Sequence, residues 1–107
     1  MGKRRAPLVQ GENPKLRNQL RYVIARAELD LHGKTAAQAQ RAVRNFLQRM
    51  ARLHPGDVVR IITGRGARTE GEPVLGPALE RQLGELSEFV VEWQRAIDGG
   101  SYLVRLD

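Results

Sequence analysis

The chain has 107 residues, of which 41% are hydrophobic and 28% charged, with a net charge of +6; this composition fits one globular domain better than two domains or a disordered tail. It contains no cysteine and only two histidines, which excludes a disulfide framework, a thiolate zinc site and a multi-histidine metal cluster. It also lacks an apolar stretch near the roughly 20 residues of a membrane span and the apolar segment of a secretion signal, so we expect a cytoplasmic protein with no membrane partner. A monomer is the default expectation for a compact basic domain.

The positive charge lies in the first half of the chain. Residues 1–60 carry 13 basic and 4 acidic side chains, a net charge of +9, whereas residues 61–107 carry 5 and 8, a net charge of −3. Fifteen of the 18 cations are arginine, whose planar guanidinium binds two phosphate oxygens at once. The pattern predicts a polyanionic partner, with nucleic acid as the first choice; the alternative is a basic surface that only keeps the protein in solution.

The first 26 residues are expected to form a basic arm ahead of the folded domain, residues 27–107. Residues 1–13 have almost no apolar periodicity, which is typical of a mobile segment. Over residues 15–26 the apolar side chains fall at helical spacing and predict a short helix, although residues 22–24 could equally begin an extended segment.

The domain is predicted to begin with a strand and a long amphipathic helix. Residues 27–31 alternate, which places Leu29 and Leu31 on one face of a strand. Thr35 is placed to cap the helix that follows, and Pro55 and Gly56 end it. One apolar stripe of this helix is predicted to be buried: Ala39, Val43, Phe46, Leu47, Met50 and Leu53.

The second half is predicted to add a strand, a helix and a hairpin. The β-branched run over residues 57–62 predicts a strand with little exposed surface. A polar loop over residues 63–72 precedes a helix over residues 73–83, whose leucines share one stripe. Alternating runs over residues 89–96 and 102–106, separated by a glycine turn, predict a β-hairpin.

Side-chain alternation in the hairpin places Phe89, Val91 and Trp93 on one face of the first strand. The aromatic residues are assigned to the core and offer no stacking platform for bases: Tyr22, Phe46, Phe89, Trp93 and Tyr102. The resulting order, βαβαββ, predicts an α/β fold, a two-layer α+β sandwich. Its four-stranded mixed sheet carries both helices on one face.

Asp30 and His32 are the first candidates for chemistry. They are two residues apart at the end of the first strand, so their side chains leave the same face near the carboxyl edge of the sheet. A carboxylate can orient an imidazole or hold a divalent cation, and an imidazole can transfer a proton near neutral pH. The structural alternatives are an aspartate that caps a turn and a histidine that bonds to the backbone.

The loop Thr63-Gly64-Arg65-Gly66 follows the second strand, where parallel sheets bind ligands. Glycines there allow backbone amides to converge on an anion, and Arg65 and Arg68 add positive charge. The pattern predicts a phosphate-sized ligand, and a flexible surface loop is the alternative. The loop matches neither a Walker loop nor a dinucleotide fingerprint, so no tightly bound organic cofactor is expected.

Taken together, these elements resemble the Smr (small MutS-related) domain family. The resemblance rests on Leu29-Asp30-Leu31-His32-Gly33, the Thr-capped helix, Ile62-Thr63-Gly64-Arg65-Gly66 and Pro73-Val74-Leu75, and it covers about residues 28–106. It implies a βαβαββ sandwich, DNA or RNA binding and, in several members, endonucleolytic nicking. It also places the family's active-site motif on Asp30, His32 and Gly33 and its glycine loop on residues 63–66. One departure is the Gly99-Gly100 turn, which is shorter than the Gly-Gly-x-Gly-Ala element common in the family.

The expected function is therefore nucleic-acid binding with nicking of DNA or structured RNA. His32 would transfer protons, and Asp30 would orient the imidazole or recruit Mg²⁺ or Mn²⁺ held largely by water and substrate phosphate. Gly33 and Lys34 would bind phosphate together with the glycine loop: Thr63, Gly64, Arg65, Gly66 and Arg68. The alternative is a non-catalytic module that docks on structured RNA or the ribosome.

Overall fold

The computed structural model describes residues 20–64 and 75–107. Its elements are a 3₁₀ turn (Leu20–Tyr22), β1 (Glu28–Asp30), α1 (Ala36–Leu53), β2 (Val58–Ile62), α2 (Leu75–Glu85), β3 (Val90–Arg95) and β4 (Ser101–Leu106). The strands form one sheet in the order β1-β2-β4-β3, with β1 parallel to β2 and β4 antiparallel to both of its neighbours. The predicted α/β sandwich with a four-stranded mixed sheet is confirmed. Within the described ranges, no helix has the length and apolar character needed to cross a bilayer.

Helix α1 begins where the sequence predicts, because Thr35 satisfies the first free amides. The Thr35 hydroxyl accepts from the Gln38 amide at 3.1 Å, and the Gln38 side chain accepts from the Thr35 amide at 2.9 Å, which completes a capping box. The predicted stripe is buried as far as Met50. Leu53, in the last turn, was also expected to be buried but is 59% exposed.

The main core lies between the helices and one face of the sheet. Leu47, Val59 and Ile61 are fully buried there, together with Leu79 and Leu83 of α2. On the opposite face, Leu20, Val58 and Leu103 form a smaller cluster. Since both faces of the two central strands are covered, β4 has almost no exposed residue and forms a nearly continuous apolar run.

The predicted helix over residues 15–26 is wrong in its described part. Leu20–Tyr22 form a single 3₁₀ turn, and the chain then runs without helix to β1. The Leu20 amide donates to the Gln94 side chain at 2.8 Å, and its own side chain packs against the back of the sheet. The assignment of Tyr22 to the core is also wrong, because the turn points it outward and leaves it 72% exposed.

The predicted alternation in β3 is wrong because of a β-bulge. Val90 pairs with Leu106, but the next pair is Glu92 with Arg105, so Val91 is an extra residue without a partner on β4. An extra residue reverses the alternation on its two sides. Val90 is consequently buried on the same face as Trp93, while Val91 is 57% exposed.

A charged cluster joins α2 to the β3–β4 hairpin. The Tyr102 hydroxyl donates to the Glu80 carboxylate at 2.6 Å, and the Arg95 guanidinium donates to the same oxygen at 2.5 Å. A Cβ on Gly76 would lie 2.9 Å from the Tyr102 hydroxyl oxygen, so the close approach of α2 depends on this glycine. The Tyr102 hydrogen bond, followed by Arg95, lowers the pKa of Glu80, and burial is the main cause that raises the pKa of Tyr102.

Substituting Glu80 by glutamine should destabilise the fold at neutral pH by about 1 to 2 kcal/mol, because a charged acceptor of two hydrogen bonds is lost. The folded-state pKa of Glu80 lies below its unfolded value, so its stabilisation is present above about pH 4.3 and disappears as the pH falls through the folded pKa. Thermal melts of parent and variant should therefore differ at neutral pH, and the difference should shrink as the pH falls below about 4.3. A difference that did not shrink on acidification below about pH 4.3 would contradict this assignment.

Candidate functional site

The carboxyl ends of β1 and β2 bring the two predicted site segments together. Asp30 lies opposite Ile62 in the parallel register, and the Leu31 amide donates to the Ile62 carbonyl at 2.8 Å. The segments that follow the two strands, residues 31–34 after β1 and residues 63–64 after β2, therefore start side by side at one edge of the sheet. Their convergence was predicted from the topology.

A tight turn presents the Asp30 and His32 side chains. The Lys34 amide donates to the Leu31 carbonyl at 3.0 Å, and Gly33 has a φ of +82°, as the third position of a type II turn requires. Leu31 is 1% exposed and belongs to the main core, whereas its neighbours on both sides are exposed. Burial of this one leucine fixes the turn and directs the two polar side chains into solvent.

The Asp30 carboxylate contacts the backbone of His32. Its Oδ1 accepts from the His32 amide at 2.9 Å, which is an Asx turn. Within the described residues, Asp30 Oδ2 and both imidazole nitrogens of His32 have no hydrogen-bond partner. Among the described residues the Asp30 carboxylate therefore contacts the main chain of the turn and not the imidazole, and both side chains remain open to a ligand.

The first two residues of the glycine loop are held by the hairpin. The Thr63 and Gly64 amides donate to the Gly100 carbonyl at 2.9 and 3.0 Å, and Gly64 has a φ of +99°. Because these amides already donate to a carbonyl, they are not free donors in this structure, and phosphate binding by Thr63 and Gly64 stays a prediction. Three further predicted phosphate-binding residues lie outside the described residues: Arg65, Gly66 and Arg68.

Sequence reasoning missed the residues that anchor this loop. The turn that contains Gly100 is itself fixed, because the Asp98 carboxylate accepts from the Gly100 amide at 2.8 Å. Next to it, the Arg60 guanidinium donates to the Ser101 hydroxyl at 2.8 Å. The Asp98-Gly99-Gly100 turn was visible in the sequence, but its contact with Thr63 depends on the pairing of β2 with β4.

The donor set at this edge fits only a loosely held cation. In the two described stretches no group of three or more metal-ligating side chains occurs. Asp30 offers one free carboxylate oxygen, which suits a Mg²⁺ or Mn²⁺ that keeps most of its water and takes its other ligands from a phosphate. Lys34 is exposed next to the turn and can add a point charge for such a phosphate.

The fold and this edge define a class of protein: a small two-layer α/β domain with an Asp-x-His turn and a threonine-glycine loop at adjacent parallel strand ends. Within that class, the chain belongs to the Smr domain family, whose model matches residues 29–106. The match confirms the family resemblance seen in the sequence. The family is a nucleic-acid-binding, nuclease-like one.

The chain is also similar to a protein of Treponema pallidum (strain Nichols) described as uncharacterized. The two are 37% identical over 67 residues, which is 63% of this chain and 33% of the relative. The chain thus matches about a third of the relative's length. No solved structure gives a significant match.

Proposed function

We propose that this protein binds nucleic acid and nicks it by hydrolysing a phosphodiester bond at the carboxyl edge of β1 and β2. The observation that carries the proposal is the turn itself, where buried Leu31 separates two solvent-facing groups, Asp30 and His32. Membership of the Smr family supports the same interpretation, because the family is nuclease-like.

Each group at the edge has a defined part in the proposed reaction. The neutral imidazole of His32 takes a proton from the attacking water as its oxygen bonds to phosphorus, and the leaving sugar oxygen receives a proton from solvent. Asp30 contributes a negative charge that attracts hydrated Mg²⁺ or Mn²⁺, and the cation would supply charge stabilisation at the phosphate. Gly33 and Lys34 bind the phosphate with residues of the glycine loop, Arg65, Gly66 and Arg68, while Thr63 and Gly64 fix the loop to the hairpin.

A non-catalytic module that docks on structured RNA or the ribosome is the second candidate. The observation in its favour is the hydrogen bond from the His32 amide to Asp30, because this contact gives the carboxylate a structural role without any chemistry. Both candidates use the basic surface, but only the nuclease needs the charge of Asp30 and the imidazole of His32.

Incubation of the purified protein with supercoiled plasmid and with a structured RNA, each with and without Mg²⁺ or Mn²⁺, tests the proposal. We expect conversion of the plasmid to the nicked circle or cleavage of the RNA, in proportion to protein concentration. Binding without cleavage of either substrate under every cation would favour the docking module.

Binding should also depend strongly on salt. Residues 1–60 carry a net charge of +9, and each phosphate that they neutralise releases counterions, so the affinity for nucleic acid should fall by about 10- to 1000-fold between 50 and 200 mM salt. Fluorescence anisotropy with a labelled duplex measures this directly. An affinity that did not change over that range would contradict a phosphate-binding function.

A further inference from the structure

Helix α1 carries a positive surface that contains no acidic side chain. Residues 31–56 contain five lysine and arginine residues and no aspartate or glutamate. Four of the cations lie within α1 itself and are exposed, and we call them the arginine face: Arg41, Arg44, Arg49 and Arg52. With 100° between successive helical residues, the four side chains spread over about 140° of the helix surface, and the middle of that spread lies opposite the buried stripe centred on Met50.

Among the arginines whose side chains the structure describes, the arginine face differs from four of the other five in having no carboxylate partner. Four other arginines each pair with a carboxylate within 3.5 Å: Arg26 with Asp57, Arg60 with Glu28, Arg95 with Glu80 and Arg105 with Glu92. Across the described parts of the chain, no residue of the arginine face has such a pair. Arg41 with Arg44, and Arg49 with Arg52, are instead like charges three residues apart, an arrangement that destabilises a helix. A polyanion bound to this face would relieve that repulsion.

The neutral residues on the same face indicate which polyanion fits. Asn45 and Gln48 are exposed on the same face. Viewed down the helix axis, they lie between Arg44 and Arg49, which are about 140° apart. Arginine, asparagine and glutamine are the side chains that bind base edges and phosphates in the DNA major groove. The one aromatic residue of the helix, Phe46, is buried in the core, so this face offers no stacking surface for a single strand.

We propose that the outer face of α1 docks into the major groove of double-stranded DNA, an inference that rests on the proposed nucleic-acid-binding function and specifies its substrate. A groove about 12 Å wide admits an α-helix, whereas the major groove of an RNA duplex is too narrow for side chains to read. The 18 residues of α1 span about 27 Å, which corresponds to about 8 base pairs at 3.4 Å each. Because α1 begins directly after the His32 turn, the part of the duplex at the start of the helix lies beside the candidate nicking site. The rest of the duplex extends along the helix away from that site.

Three substitutions on the arginine face test this docking: Arg41→Gln, Arg44→Gln and Arg52→Gln, combined in one variant. Arg49 is left in place because its guanidinium lies 6.0 Å from the centre of the Phe46 ring, where it can contribute to packing. The probes are a labelled 16-base-pair DNA duplex of mixed sequence and an RNA duplex of the same sequence. Affinity is measured by anisotropy between 50 and 200 mM salt.

The triple variant should bind the DNA duplex roughly 10- to 100-fold more weakly than the parent. The slope of log affinity against log salt concentration should decrease in magnitude by about 2 to 3, because each phosphate that is no longer neutralised removes about 0.9. Arg81→Gln, which removes an exposed arginine from α2 instead, should change the slope by less than about 1. The melting temperature of the triple variant should be no lower than that of the parent, because like-charge pairs have been removed.

The outcomes separate this inference from the function on which it rests. If the parent binds the DNA duplex and the triple variant binds it equally well, the docking surface is wrong and the proposed function stands. If both duplexes lose affinity to the same extent, the assignment to the DNA major groove is wrong. If the parent binds neither duplex at any salt concentration, the proposed function and the docking surface are both overturned.

Discussion

Replacing His32 by alanine is expected to lower the rate of nicking by about 10²- to 10⁴-fold, the usual contribution of a general acid or base. The affinity for nucleic acid should stay within a few-fold of the parent value, because a proton-transfer group acts on the transition state more than on binding. Stability should change little, since the imidazole is exposed and has no hydrogen-bond partner among the described residues. Single-turnover rates and equilibrium affinities on the same substrate separate the two effects.

The matched control is His54→Ala. His54 caps the far end of α1, and its Nδ1 lies 4.0 Å from the Asp57 carboxylate, so it belongs to the opposite edge of the sheet. This variant should nick as fast as the parent. Equal rates for the parent and for folded His32→Ala protein would remove His32 from the chemistry and favour the docking module.

Leu31→Ala is expected to destabilise the protein by about 2 to 4 kcal/mol, the cost of removing a buried leucine and leaving a partly collapsed cavity. Leu31 is 1% exposed and its packing under α1 and α2 holds the turn that carries Asp30 and His32. Urea unfolding followed by circular dichroism measures this difference. Nicking should decline as well, because the turn loses its anchor.

Leu53→Ala is the control for that measurement, because Leu53 has the same side chain but is 59% exposed at the end of α1. Its loss should change the free energy of unfolding by less than about 0.5 kcal/mol. A cost below about 1 kcal/mol for Leu31→Ala would show that the turn does not depend on the core in the way described.

The main elements of the fold were predictable because each carries a regular pattern. The cap at Thr35 and the apolar stripe from Ala39 onward define α1 from the sequence alone, although the stripe is buried only as far as Met50. The bulge at Val91 was not predictable, because one unpaired residue reverses the alternation and only the partner strand reveals it. The docking of Leu20 also escaped prediction, since it depends on Val58 and Leu103, which are distant in sequence.

The sequence was enough to predict which edge of the sheet carries the candidate site. Parallel pairing of β1 with β2 was enough to bring Asp30 and Thr63 together. The function of the individual loop amides was not predictable, because it depends on which carbonyl of the hairpin they meet. The Gly100 carbonyl accepts from both the Thr63 and Gly64 amides, so these two donors are already paired in the structure.

The central claim is that the turn after β1 performs chemistry in addition to its structural role, and Asp30→Asn tests it most directly. Asparagine keeps the side-chain oxygen that accepts from the His32 amide, so the Asx turn and the stability should be preserved while the negative charge is lost. The measurement is the single-turnover rate of plasmid nicking by parent and variant over a range of Mg²⁺ concentrations. We predict a rate at least about 10²-fold lower for the variant, with unchanged affinity for the plasmid. A folded variant that nicked as fast as the parent at every Mg²⁺ concentration would contradict the claim and leave Asp30 with its structural hydrogen bond alone.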